Sequence, residues 1–232
     1  MAISILQRGS AADTDTGTTT VTLGSDVTVG SNIIVCVMTG TGVKPRDNLS
    51  NDYQTVYQCR GTTSTLHNYI YVAHNSIAGA CTVTVTGDSN LCNVFVYEVS
   101  GLATKNCFDK VAMLEANSGT TDTSGTTETT TYANELVLAF FNYNGTTAIT
   151  YTAGAGYSNL LAPTGQSSLY GCSEEKIVAS TGTQVATVTQ SVAGNGIVRG
   201  VIATFSDTSI AAKRSPLGER LRPNIFAPGQ AR

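Results

Sequence analysis

CTVTVTG, residues 81–87, alternates valine and threonine without a break. A chain that alternates with period two forms a strand with one face buried and one face in water. Val83 and Val85 fall on one side, and Thr82, Thr84 and Thr86 on the other. Short runs of β-branched and aromatic residues recur on both sides of this stretch, parted by Gly, Asn, Asp and Ser: TTTVTLG, NIIVCVMTG, YQTVYQC, NYIYVAH, LCNVFVYEVSG, NELVLAFFNYNG, QVATVTQ and GIVRGVIATF. Their spacing predicts a sandwich or barrel. No window repeats apolar residues at i, i+3, i+4 and i+7, so no long helix is expected. Residues 32–37, 136–141 and 197–205 are apolar on both parities, which predicts central strands covered by a second layer or by a neighbouring subunit. Between them, the Thr/Ser/Gly-rich stretch 115–135 fits either a loop or a polar edge strand.

Composition points the same way. The chain has no Trp, only 12% charged residues and 41% hydrophobic ones, and Thr is its commonest residue, a mix that favours pleated surfaces over helices. At 232 residues it is long enough for one sizeable core or, less readily, two small ones, and length alone does not choose. The net charge of −3 hides a division. Residues 1–212 hold 8 Lys and Arg against 15 Asp and Glu, a net of −7, whereas residues 213–232 hold 5 against 1, a net of +4. A body with no basic stripe is unsuited to neutralising phosphates, so no nucleic-acid partner is expected. No stretch approaches the roughly 20 apolar residues of a membrane span, and the N-terminus lacks the pattern of a secretory signal.

Chemistry is sparse. The six cysteines, Cys36, Cys59, Cys81, Cys92, Cys107 and Cys172, contain no CxxC pair, and several lie in apolar runs. They are expected to be reduced, small buried hydrophobes, with no metal and no cofactor. His67 and His74 flank one strand-like run, and no G-x-S-x-G elbow accompanies them. Glycosidase chemistry needs two carboxylates about 5 to 10 Å apart. Glu98, Glu135, Glu174 and Glu175 are the strand-borne candidates, but adjacent Glu174 and Glu175 must point to opposite faces. Glu98 shares its parity with Val94 and Val96, and Arg199 interrupts IVRGVIATF, so these two are expected to form a structural ion pair. DTDTG at 13–17 lacks the Glu that a calcium loop needs at its twelfth position. The tyrosines suit either sugar stacking or cross-strand packing. No enzymatic activity is expected.

Several segments, in order, resemble a jelly-roll-like β-sandwich module of phage structural and bacterial surface proteins. They are Asp47, Asn51 and Tyr53 in a D-x-x-G-N-x-Y-like turn whose Gly is missing from LSND, then Tyr71 and Ala73, CTVTVT, the strand end Tyr97, Glu98, Ser100 and Gly101, and Ala133 to Val137. The ending LRPNIFAPGQAR is similar to the Arg/Pro/Phe-rich ends of small phage virion proteins. The resemblance implies an all-β antiparallel sandwich and a head decoration, or cement, protein located in the virion and assembled in the host cytoplasm. Its partners would be the major capsid protein or another virion protein, and further copies of itself. A carbohydrate-binding or tail-associated module is the alternative.

The domain boundary is placed at 209, with residues 210–232 forming an extended arm. Twenty extended residues reach about 60 Å. So short an apolar content cannot offset the arm's own ordering entropy, so Leu221, Ile225 and Phe226 need a groove on a partner. Pro223 and Pro228 stiffen the segment beforehand, and Arg220, Arg222 and Arg232 would meet carboxylates on the receiving surface.

Overall fold

A computed structural model describes residues 2–13, 17–40, 44–61, 67–87, 91–164 and 168–208. The described residues contain strands and turns and no helix. The sandwich expected from the alternation is present, and it is double. The first half of the chain supplies β1 (Ser4–Asp13), β2 (Thr18–Thr22), β3 (Asn32–Thr39), β4 (Arg46–Asp47), β5 (Tyr53–Arg60), β6 (His67–Ala73), β7 (Thr82–Thr86) and β8 (Cys92–Ser100). The second supplies β9 (Phe108–Asn117), β10 (Thr121–Thr126), β11 (Asn134–Asn144), β12 (Tyr151–Thr152), β13 (Ser158–Leu161), β14 (Leu169–Ala179), β15 (Val185–Gln190) and β16 (Ile197–Ser206).

The two halves have one topology. In the first, a five-stranded sheet ordered β1-β8-β3-β6-β5 faces a three-stranded sheet ordered β2-β7-β4. In the second the orders are β9-β16-β11-β14-β13 and β10-β15-β12, the same arrangement moved on by eight strands. Each half nests its antiparallel pairs, β1 with β8, β2 with β7 and β3 with β6, and likewise β9 with β16, β10 with β15 and β11 with β14. The single sandwich expected over 1–209 is therefore two sheet pairs in tandem.

Three apolar cores lie between four layers. Val83 and Val85 of β7 join Val21, Val35, Val37, Val94 and Val96 in the first sandwich, with the threonines of β7 on its outer face. Val137, Ala139, Phe141, Ala186, Val188 and Ile202 fill the second. Between the halves, Ile34, Cys36, Ile70, Phe95 and Val99 of one five-stranded sheet pack on Leu136, Leu138, Phe140, Val201 and Phe205 of the other. This explains the runs that are apolar on both parities. All eight residues of β3 are buried because one face meets its own small sheet and the other meets the second half of the chain. Of the two coverings anticipated, a second layer or a neighbouring subunit, the structure has a second layer, supplied by the same polypeptide.

Toward one edge this seam turns polar. Asn142 Nδ2 donates to Asn68 Oδ1 at 3.1 Å, and fully buried Asn93 beside them finds no hydrogen-bond partner among the described residues. A side chain at Gly171 would collide with the Asn93 and Asn142 amides, so glycine is what lets the sheets close there. Of the two readings of 115–135, the edge strand is realised in part: 121–126 pairs with β15, and 127–133 leads to β11.

Candidate functional site

The expected Glu98–Arg199 pair does not form. Glu98 points away from the seam, into the first sandwich, and is 1% exposed. It accepts from the Thr28 amide at 2.7 Å, Gln7 Nε2 at 2.6 Å and Ser31 Oγ at 3.0 Å, tying β1 to the 24–31 loop. Arg199 shares its parity with Val201 and Phe205, so it faces the seam from the other half. Its Nε donates to Glu115 Oε2, directly across from it on β9. Parity correctly placed Glu98 in a core, but two side chains that face different layers cannot meet. Glu115 was missed because nothing in the sequence states that β9 and β16 are neighbours.

Where β1 passes over β14, a groove of about 270 Å³ is lined by Ser4, Ile5, Arg8, Ser158, Asn159 and Glu175. At its base Glu175 Oε1 takes Arg8 Nη2 at 2.7 Å and Asn159 Nδ2 at 2.8 Å. Burial raises the Glu175 carboxyl above its ordinary value despite these donors. Arg8 and Glu175 are thus engaged with each other and fasten the first half to the second, while Lys176, which also borders the groove, lies over the Tyr157 ring at 4.4 Å.

As expected, Glu174 faces the opposite way, into the second sandwich, where its Oε2 accepts the Gly154 amide at 2.8 Å. Burial pushes its pKa up to about 7. Glu135 is raised to about 7 by burial, with neighbouring Asp109 adding to the effect. Burial also raises Asp122. These perturbed carboxyls lie under sheets and hold loops rather than opening onto a cleft.

His74 Nδ1 lies 2.9 Å from Asn32 Oδ1, and burial lowers its pKa; His67 stacks on Tyr69 with centroids 5.7 Å apart. The six cysteines are free thiols, five of them buried, and burial pushes Cys81 and Cys107 up to about 12 and Cys92 to about 11. Such thiols are poor nucleophiles. Tyr53, Tyr69, Tyr71, Tyr97 and Tyr143 are buried, which removes them from any sugar-stacking platform. Among the described residues no three His, Cys, Asp or Glu side chains converge as a metal site, and no helix is long and apolar enough to cross a membrane.

The turn at 46–53 is organised by Asp47. Its carboxylate accepts from the Leu49 amide at 3.0 Å, the Asn51 amide at 3.1 Å, Asn51 Nδ2 at 2.8 Å and Tyr53 Oη at 2.7 Å. Ser50 sits at φ 64°, the left-handed region where glycine is at ease. The arm residues Arg220, Leu221, Arg222, Pro223, Ile225, Phe226, Pro228 and Arg232 lie outside the described residues. Compared with known proteins, the chain matches no family model, no curated protein and no solved structure.

Proposed function

We propose that this protein is a structural component of a virus particle, a capsid decoration or cement protein. It would bind the capsid lattice and neighbouring copies through its sandwich surface and C-terminal arm. The observation that carries this reading is where the charge is used. In the described body Glu98, Glu135, Glu174, Glu175 and Arg199 are buried and engaged with groups of the same chain. Residues 213–232, by contrast, hold five basic residues against Glu219 alone, beside Leu221, Ile225 and Phe226. That is the composition of a strap that gains order on a partner's surface.

The nested strand pairs support a jelly-roll-like reading of each half, and a rigid doubled block suits a scaffold better than a catalyst. Attachment at many equivalent lattice sites multiplies weak contacts. The burial of five tyrosines disfavours the carbohydrate-binding alternative. The test is a chain ending at Thr208, compared with the full chain for melting temperature and for co-sedimentation with particles that lack the protein. The truncated chain should melt at the same temperature and fail to attach. Attachment equal to that of the full chain would overturn the reading.

A further inference from the structure

The chain between β10 and β11 is held in two ways. Its first part is fastened to the turn before β15: Thr127 and Thr130 donate their amides to the carbonyls of Gln184 and Gly182 at 2.9 and 3.0 Å, and their hydroxyls accept the Gln184 and Gly182 amides in return. Its last part is fastened through its amides to acids, with Lys110 Nζ also donating to the Thr131 hydroxyl at 2.7 Å. The Thr131 amide donates to Asp109 Oδ2 at 2.5 Å, and the next amide, that of Tyr132, donates to Glu135 Oε1 at 3.3 Å. Consecutive amides on one segment thus bring a carboxyl of β9 and a carboxyl of β11 side by side, across the intervening strand β16.

We infer that Asp109 and Glu135 form a proton-sharing carboxyl pair that clasps residues 131–132 to the sheet, and that the clasp loosens when the pair gives up its proton to solvent. The hydrogen-bond pattern favours a proton there. Asp109 takes Lys110 Nζ at 2.6 Å and Thr131 Oγ1 at 2.7 Å on Oδ1 and the Thr131 amide on Oδ2, which leaves Oδ2 able to accept one donor more. Glu135 is fully buried, and its Oε2 receives no donor among the described residues. An ionised, orphaned oxygen in that position is costly, whereas a protonated one donates to Asp109 and satisfies both groups.

The surroundings hold little to neutralise a second negative charge. Lys110 on β9 is the cation in contact with the pair and already serves Asp109; on β16 the Thr204 hydroxyl favours the ionised Glu135, though less than burial opposes it, and Ser206 is neutral; Val178 on β14, opposite Glu135, is apolar; Asp207, beyond the end of β16, is acidic and bonded by Asn134. Burial would raise Asp109, but the Lys110 and Thr131 hydrogen bonds outweigh it and hold this carboxyl low, so Glu135 carries the proton. Since Glu135 is raised to about 7, the clasp is closed in mild acid and weakened above neutrality.

Hydrogen exchange of the Thr131 and Tyr132 amides, corrected for intrinsic rates, tests this at pH 6 and pH 8.5. Protection should fall at least ~10-fold over that interval in the native chain and stay constant in Glu135→Gln, whose amide donates to Asp109 at every pH. Constant protection in the native chain, or the same fall in Glu135→Gln, would overturn the inference. If the variant misfolds, a carbon-13 titration of the Glu135 carboxyl in the native chain decides alone. An inflection near neutrality supports the clasp, and one at the ordinary glutamate value refutes it.

Discussion

Tyr97 and Ser173 share a 2.6 Å hydrogen bond between their hydroxyls in the middle of the seam, one residue from each half and neither more than 1% exposed. Removing the tyrosine hydroxyl leaves the serine buried without that partner. Tyr97→Phe should therefore cost about 1 to 3 kcal/mol in chemical denaturation. Combining it with Ser173→Ala should cost less than the two single changes summed, because the double variant leaves neither hydroxyl orphaned. Additive losses would show that the two hydroxyls are not coupled.

Glu115, rather than Glu98, is the carboxylate that Arg199 needs. Glu115→Ala takes from a buried guanidinium the carboxylate that its Nε bonds and should destabilise by about 3 to 5 kcal/mol. Glu98→Ala should also destabilise, by roughly 2 to 3 kcal/mol, through the orphaned Thr28 amide and the lost hydrogen bonds from Gln7 and Ser31. The two losses should add, because the side chains share no partner. A double-mutant cycle by urea denaturation measures this, and a coupling above about 1 kcal/mol would contradict the separation.

Stability should fall as pH rises from about 4.5 to 7. Glu135 and Glu174 are raised from 4.5 to about 7 in the folded protein, so the unfolded chain releases these protons first and gains from every step upward in pH. Each group should remove on the order of 1 to 3 kcal/mol by pH 8. Asp109 works the other way, since its lowered pKa stabilises the fold above the unfolded value and loses effect in stronger acid. Melting temperatures across pH 4 to 9 should peak on the acid side and decline toward neutrality. In Glu174→Gln the decline should be shallower, and an unchanged slope would exclude Glu174 as its source.

Ser50→Gly relieves a left-handed serine in the Asp47 turn. The substitution should leave stability unchanged or raise it by up to about 1 kcal/mol, because the strain removed exceeds or balances the added chain entropy. Asp47→Ala should lower the melting temperature by several degrees, since the Leu49 and Asn51 amides, Asn51 Nδ2, Tyr53 Oη and the Cys81 thiol lose their acceptor. A loss of stability in Ser50→Gly would mean that the serine side chain matters more than its backbone.

Much of the fold was legible because parity in a strand is a direct record of burial. The valines of 81–87 and the two-sided runs at 32–37 and 136–141 were placed correctly. The duplication was not legible. TTTVT of β2 and TDTSGT of β10 occupy equivalent positions, yet one offers Thr19 and Val21 to the interior and the other Asp122 and Ser124. Topology survives such replacement because hydrogen-bonded ladders do not depend on side-chain identity. For the polar groups, the sequence could say that Glu98 is buried and that Glu174 and Glu175 diverge. It could not say that Arg199 meets Glu115 or that the Thr131 and Tyr132 amides fall to Asp109 and Glu135, since those encounters depend on how the strands are ordered in the sheet.

Seven residues, 101–107, carry the chain from β8 into β9, and this short link changes what the seam must accomplish. Two separate molecules meeting on such a surface would have to recover their lost rotational and translational freedom from the contact itself. A covalent tether supplies that at the outset by holding one partner at high local concentration beside the other. The surface is then free to keep groups that an interface between dissociating molecules selects against, and the solitary amide of Asn93 is one of them. Cutting the link, more than any single substitution across it, should reveal how much of the cohesion is intrinsic to the facing sheets.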